Sequence, residues 1–323
     1  MNNVYKYPYS RPLSNEEWEK KRRNARKKVE EEIKKLVGNL RENTTIVAFI
    51  APSLQDLTVT LGTTPPTTQS IRPGKTGLAK EFICYLTIKK ESLVAALSID
   101  PLERLFAFCG FQKPRTSAYQ EIAERRKDPN KIDLRSIRER GHLKFGGVKG
   151  TDFDIYRIIS DVDFQTGVQG LRIPTIRENI IKLIERIARA GYQYIIADVT
   201  FHEDTKSLIE DWNNSQIAPV WVFVIPDPAG YKLRGSSLDK TVQDELRVRI
   251  GEKLNEAREI LRNMIILGNF VKDESLFKKY FPEANICIPY IRSLDRASPG
   301  ICIRECLEDP GYMKMLFEEI SRR

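Results

Sequence analysis

Gly74-Lys75-Thr76-Gly77-Leu78-Ala79 opens a stretch in which an apolar helical pattern leads into a short apolar run ending at Asp100-Pro101. That order is how a phosphate-binding loop is built into a parallel sheet. A glycine lets the backbone turn tightly, a lysine ammonium meets the β- and γ-phosphates, a hydroxyl ligates Mg2+, and the free N–H groups of the helix N-terminus face the anion. Gly74-Lys75-Thr76 equally suits a plain turn that caps a helix. The full G-x-x-x-x-G-K-[ST] spacing would place a glycine at position 69; the chain has Gln69 there, followed by Ser70, Ile71, Arg72 and Pro73. The surrounding sequence has to decide between a nucleotide site and a turn.

Around this stretch, strand-like runs alternate with helical patterns. Thr45 to Ala51, Leu93 to Ile99, Ile155 to Ile159, Tyr194 to Asp198, Val220 to Ile225, Met264 to Leu267 and Ile286 to Ile288 are short, β-branched and mostly apolar throughout. Such runs belong in a parallel sheet covered on both faces. Pro174 to Ala190 carries Ile176, Ile180, Leu183, Ile184 and Ile187 at helical spacing, with Pro174 at its start and Gly191 just past its end. Residues 237–262 and 76–89 give two further helices. Alternating β and α elements predict a doubly wound α/β fold with a mainly parallel sheet and helices on both faces, whose ligand sites lie at the C-terminal ends of the strands. Two strands compete to lead into Gly74: Thr45 to Ala51, with residues 53–68 as an insertion, or Leu57 to Leu61. Thr63-Thr64-Pro65-Pro66-Thr67-Thr68 reads as a loop.

Composition sets the outer bounds. The chain has 323 residues, 41% of them hydrophobic, enough to bury a sizeable core. No run approaches the ~18 apolar residues of a membrane span, and the N-terminus lacks the apolar centre of a signal peptide, so a cytoplasmic address is expected. The five cysteines (84, 109, 287, 302 and 306) form no C-x-x-C pair, and with only His142 and His202 beside them they argue against zinc. Cys302 and Cys306, four apart, are expected as packed thiols on one helix face.

The formal net charge of +9 is uneven. Residues 1–45 carry 12 Lys/Arg against 7 Asp/Glu, and residues 111–150 carry 11 against 5. Residues 1–44 read as an appendage: an extended arm over 1–14, then a long helix over 15–40 with Lys20-Lys21-Arg22-Arg23-Asn24-Ala25-Arg26-Lys27-Lys28. Residues 45–323 form the main domain, with a basic insertion at about 111–150. Either basic segment, 20–28 or 111–150, suits an acidic partner, DNA or an anionic membrane face, and either suits plain solvation. The last helix, with Met313, Leu316, Phe317 and Ile320 on one stripe beside Glu318 and Glu319, is expected to pack on the core.

Three more motifs fall at strand ends. Ser98-Ile99-Asp100-Pro101 places a carboxylate where it can hold Mg2+ or orient an attacking water. Tyr192-Gln193-Tyr194-Ile195-Ile196-Ala197-Asp198-Val199 is an apolar strand ending in Asp, the form of a Walker B site. Leu267-Gly268-Asn269-Phe270 offers a side-chain amide able to read an adenine edge. Singly, each is a common strand-end turn residue. In this order the chain resembles the ParA/MinD family of deviant-Walker P-loop ATPases, most closely the TadZ/CpaE branch of pilus-assembly proteins. The resemblance covers roughly residues 45–305 and rests on Gly74 to Ala79, Leu93 to Pro101, Tyr192 to Asp198, Val220 to Pro226, Asn269, Ile288-Pro289-Tyr290 and Arg296-Ala297.

The resemblance implies phosphate binding by Lys75 within Gly74, Lys75, Thr76 and Gly77, Mg2+ ligation by Thr76, Asp100 and Asp198, a switch role for Asp100, a Walker B role for Asp198 and adenine contact by Asn269. Lys75, Asp100 and Asp198 are the implied catalytic set, with ATP/ADP and Mg2+ as cofactors. It further implies an ATP-dependent homodimer that positions other machinery at a pole, membrane or nucleoid. The family's loop has a second lysine followed by two glycines, where this chain has Ser70, Ile71 and Arg72. Arg72 is the nearest substitute cation, and Pro73 stiffens the loop. Slow ATP hydrolysis or none is expected, since charge stabilisation dominates phosphoryl transfer. Two other readings stand beside the switch: a pseudo-ATPase scaffold acting through its basic surfaces, and a non-specific DNA-binding partition-type ATPase.

Overall fold

Consecutive side chains leave a strand on opposite faces, and in this protein both faces are covered. In Thr45–Pro52 (β1), Ile46, Ala48 and Ile50 enter one core while Val47, Phe49 and Ala51 enter the other. The computed structural model describes residues 44–323 except 54, 62–66, 71, 111, 146–148, 234–235, 290, 292–300, 304–305 and 307–310. The N-terminal arm and basic helix, Tyr290 and Arg296-Ala297 therefore lie outside the described residues.

After β1 come the strands Thr58–Leu61 (β2) and Thr67–Ser70 (β3), helix Lys75–Cys84 (α1), Val94–Ile99 (β4), Arg104–Cys109 (α2), Arg138–Phe145 (β5) and Lys149–Arg157 (β6). The chain continues through Asp161–Thr166 (α3), Pro174–Ala188 (α4), Tyr194–Phe201 (β7), Glu203–Asn213 (α5), Val220–Pro226 (β8), Lys232–Leu233 (β9) and Ser236–Ser237 (β10). Lys240–Ile260 (α6), Met264–Val271 (β11), Glu274–Tyr280 (α7), Ile286–Pro289 (β12) and Tyr312–Ser321 (α8) complete it. Eight strands form one sheet in the order β12-β11-β8-β1-β7-β4-β6-β5. All seven apolar runs lie in it, and its pairings are parallel except for β5 against β6.

Helices α4, α5 and α6 cover one face through Ile180, Leu183, Leu208, Trp212, Leu246 and Ile250. Helices α1, α2 and α8 cover the other through Leu78, Phe82, Phe106, Met313 and Leu316. The stripe of α8 therefore packs into the core. The helix expected over 76–89 runs as α1 to Cys84 and then widens into a π-helical turn over Tyr85–Lys89, where the Thr87 hydroxyl donates back to the carbonyls of Ile83 and Cys84.

β1 is the strand that leads into the Gly74 loop. Leu57 to Leu61 does not: among the described residues β2 pairs only with β3, as a hairpin apart from the main sheet. Leu57 and Val59 join the α6-side core, and Arg249 on α6 donates to the Thr58 carbonyl at 2.6 Å. The chain thus crosses to the α6 side before returning to Gly74. Of the expected loop over 63–68, Thr67 and Thr68 belong to β3.

Segment 111–150 is woven into the domain. Ala118, Tyr119, Ile122, Ile132 and Ile137 enter the α4-side core, and Leu143 enters the other. Its basic side chains are partly matched: Lys113 pairs with Glu103 and Asp161, Arg125 and Lys127 with Glu121, and Arg138 with Asp154.

Further along the chain, Ile301 bridges to Lys144 of β5. There Cys302 is joined by a disulfide to Cys84 at the end of α1, with 6.2 Å between Cα atoms and 218 residues of separation. This corrects the expectation of packed thiols at 302 and 306: Cys302 is disulfide-bonded and outside any helix, while Cys306 is a buried thiol. The pairing was hidden because its partner lies at the far end of the sequence.

Candidate nucleotide site

Strand alternation decides what faces α1. Val94 and Ala96 of β4, Ile196 of β7, and Ile265 and Leu267 of β11 all point to the α1 side. Continued in steps of two, that face takes Ser98 and Asp100, then Asp198 and Thr200, then Asn269. Five polar side chains from three strands therefore converge below the start of α1, and all are buried.

Gly74 sits immediately before α1 in the left-handed region, with φ 77°. A Cβ there would lie 2.4 Å from Asn269 Nδ2, so both conformation and space call for glycine. Asn269 Nδ2 donates to the Pro73 carbonyl at 2.8 Å, tying β11 to the loop, and its buried Oδ1 has no hydrogen-bond partner among the described residues. Among the described residues no side chain caps the helix, whose N-cap residue is Gly74 itself. Every residue of α1 is buried, Gly77 included.

Lys75 is 2% exposed and its ammonium lies between two fully buried carboxylates, 3.1 Å from Asp100 Oδ2 and 2.5 Å from Asp198 Oδ1. The Thr76 hydroxyl donates to Asp198 Oδ2 at 2.9 Å. Thr200 donates to Asp100 Oδ2 at 2.8 Å, and Arg104 Nη2 reaches the same oxygen at 3.1 Å. Asp100 Oδ1 accepts from the Leu102 amide at 2.9 Å.

The two aspartates are pulled in opposite directions. Burial would raise Asp100, but the Lys75 ammonium and the Arg104 guanidinium overcome it and hold its carboxyl well below the usual range. At Asp198 burial wins and the pKa is raised, with Lys75 opposing and the Asp100 charge adding to the rise. Lys75 is split between two buried carboxylates, and Arg104 pairs with Asp100 alone. Oxygens of Thr76, Asp100 and Asp198 are the hard ligands Mg2+ prefers, in the number it takes from a protein when phosphates and water supply the rest.

The structure thus brings Lys75, Thr76, Asp100 and Asp198 into direct contact and places Gly74, Gly77 and Asn269 around them. Arg72 stands apart, exposed on the loop and without an ion pair among the described residues. Thr200 and Arg104 were not read from the sequence. Their signals were positional: Thr200 is two residues beyond Asp198 on the same strand face, and Arg104 is four beyond Asp100.

No family model and no curated protein matches the chain by sequence. Among solved structures it is similar to the ATP complex of a McdA variant from Cyanothece, with TM-score 0.52 and 14% identity over 87% of this chain and 96% of that one. Apo McdA from the same source gives TM-score 0.50 and 14% identity over 86% and 98%. The MinC:MinD complex of Aquifex aeolicus gives 0.48 and 15% over 86% and 95%. At these identities the likeness is one of fold: this chain shares with the McdA structures a doubly wound, mainly parallel sheet with helices on both faces.

Proposed function

We propose that the protein is a ParA/MinD-like switch that binds ATP with Mg2+, hydrolyses it slowly or not at all, and positions or organises a larger cellular assembly. The single observation that carries this reading is the convergence of Lys75 and Thr76, at the uncapped start of a buried helix, on Asp100 and Asp198 at neighbouring strand ends. A turn that merely capped a helix would not need a lysine buried between two carboxylates.

The residues present fit the nucleotide and the metal. Thr76, Asp100 and Asp198 would hold Mg2+, which neutralises phosphate charge when bound. Lys75, released from the carboxylates, is the phosphate ligand. The unpartnered Asn269 Oδ1 offers an acceptor for a base amino group. Thr200 and Arg104 keep Asp100 ionised and oriented. The altered loop, with Pro73 and without the usual glycines, restricts the approach of backbone N–H groups to phosphate, which is the reason for expecting slow turnover.

The finer assignment follows the sequence resemblance: the TadZ/CpaE branch, a nucleotide-dependent homodimer, and pilus or secretion apparatus as the assembly positioned. Work at the inner face of a membrane or at a cell pole would be peripheral; no helix among the described residues is long and apolar enough to cross a membrane. Residues 20–28 and the exposed basic side chains of 111–150 are the proposed contacts to DNA, anionic lipid or protein.

Calorimetric titration with ATP and Mg2+, with Lys75→Ala in parallel, tests the reading. Micromolar or tighter binding by the wild type, lost in the variant, is expected. No heat and no thermal shift at millimolar ATP would overturn it, leaving a scaffold that acts through its basic surfaces.

A further inference from the structure

The buried cations of this protein differ in how completely they are used. Arg157 engages its whole guanidinium: Nε and Nη2 grip the two Glu103 oxygens at 2.5 and 2.8 Å, Nη1 donates to the Pro114 carbonyl at 2.8 Å, and Nη2 also reaches Asp161 at 3.0 Å. Lys80 has Glu81 and the Ile301 carbonyl. Arg104 is the exception. Its Nη2 meets Asp100, yet its Nε is buried with no hydrogen-bond partner among the described residues, while the side chain as a whole keeps 21% exposure. A buried guanidinium N–H left unpaired is unfavourable until an acceptor arrives.

The turn that carries Arg104 is held in place. Glu103 is a fully buried non-glycine residue with φ 45° and ψ 38°, a left-handed conformation that an ordinary side chain adopts only under constraint. The constraint is visible. Arg157 grips the Glu103 carboxylate in a two-pronged pair, Lys113 adds a third contact at 3.0 Å, and the Glu103 amide donates to the Asp100 carbonyl at 2.9 Å. The charge of Arg104 is felt by both site carboxylates.

We propose that Arg104 is a second cation of the phosphate site, its free Nε–H taking an oxygen of the terminal phosphoryl group of a nucleoside triphosphate, and that the Glu103–Arg157 pair positions it. Lys75 then answers the inner phosphate charge, and Arg104 answers the charge that distinguishes a triphosphate from a diphosphate. The inference rests on the nucleotide reading above and deepens it.

Calorimetry with Mg·ATP and Mg·ADP on the wild type, Arg104→Gln, Arg104→Lys and Glu103→Gln tests it, with thermal unfolding of each variant without nucleotide. Arg104→Gln should weaken Mg·ATP about tenfold, the scale of one charge-assisted hydrogen bond, and Mg·ADP less than about twofold. Arg104→Lys, which keeps charge but loses the planar fork, should fall between. Glu103→Gln should lose part of the same ATP-over-ADP preference, a ratio that a general loss of stability would not move. Unchanged ATP binding in Arg104→Gln, or equal weakening of both nucleotides, would overturn the role of Arg104. Wild type that binds neither nucleotide would instead remove the nucleotide reading itself, and this inference with it.

Discussion

The two ends of α1 each bury a charge cluster, and they are built on opposite terms. At the C-terminal half, Lys80 and Glu81 are both fully buried and paired at 2.9 Å; Lys80 donates to the Ile301 carbonyl and Glu81 Oε2 accepts from the Ile303 amide at 2.8 Å. One cation meets one anion, and backbone groups take up remaining valences. At the N-terminal end, Lys75 is divided between Asp100 and Asp198, while Arg104 Nε and Asn269 Oδ1 are buried without a hydrogen-bond partner among the described residues. A buried pair matched one to one holds a fold together; a lysine split between two carboxylates, beside polar atoms without a hydrogen-bond partner, is a place prepared for something else. The matched cluster anchors the C-terminal segment to α1, and the unmatched one is where a nucleotide and a metal would enter.

Isosteric neutralisation at each end tests that contrast most severely. Glu81→Gln strands a buried Lys80, and breaking a buried pair in this way costs about 3–5 kcal/mol. Thermal unfolding should fall by roughly 10 °C for a chain of this size. Asp198→Asn removes a charge whose ionised form burial already disfavours, and it leaves Lys75 paired with Asp100. Its melting temperature should stay level or rise, while Mg2+-dependent nucleotide binding disappears. Equal losses of stability in the two variants would erase the distinction between the ends of the helix.

The disulfide gives the next largest effect. Cys84–Cys302 ties the same matched end of α1 to the C-terminal segment across 218 residues of chain. A disulfide typically stabilises by about 2–4 kcal/mol, and loop-closure entropy puts one of this span at or above the upper end. Cys84→Ser combined with Cys302→Ser, compared with wild type in oxidised and reduced buffer, should lower the melting temperature by roughly 5–10 °C, and reductant should bring the wild type down to the same value. A wild type indifferent to reductant would mean that Lys80, Glu81 and packing hold the segment unaided.

The unmatched end was the more legible of the two in the sequence. Lys75, Thr76, Asp100 and Asp198 announce themselves because each closes or opens an element whose period is readable, and the seven sheet strands were visible because burial on both faces leaves an unbroken apolar run. β5 was not visible: Arg138-Glu139-Arg140-Gly141-His142-Leu143-Lys144-Phe145 is an edge strand that sets mostly charged residues beside a partner, and nothing in its composition separates it from a solvated loop. Nothing in the sequence around Lys80 and Glu81 marks them as buried, yet α1 is central and buries every residue. Their partners come from residues 301–303, more than 200 positions away, and no local pattern encodes that meeting. Arg104 was hidden for a related reason. Its place over Asp100 depends on a left-handed Glu103 held by Arg157, 54 residues further along the chain, and by Lys113.

The smallest expected effect concerns a third cluster, around Glu103, and it sharpens the contrast through the sign of a pH dependence. Burial tends to raise Asp161, but hydrogen bonding toward Glu103 and Lys113 and the Lys113 charge bring its carboxyl down to about 2. A depressed folded-state pKa adds stability above the ordinary Asp value near ~3.9, and that stability is lost as pH falls through about 2. Asp161 is 29% exposed and its pairs are screened, so Asp161→Asn should cost no more than about 1 kcal/mol at pH 7, and less in high salt. The gap in melting temperature between wild type and Asp161→Asn should shrink below pH ~4 and vanish near pH ~2. Asp198 has the opposite sign. A raised folded-state pKa means its contribution is fully present below the unfolded value and is lost as pH rises through the folded one. Any gain in stability from Asp198→Asn should therefore be largest at neutral pH and disappear on acidification, as the wild-type carboxyl takes up its proton. Both gaps close in acid, but from opposite sides: at Asp161 the wild type loses an advantage, and at Asp198 it is relieved of a burden. A gap at Asp198 that opened in the same direction as the one at Asp161 would mean that Lys75 satisfies both carboxylates, and that the N-terminal end of α1 is matched after all.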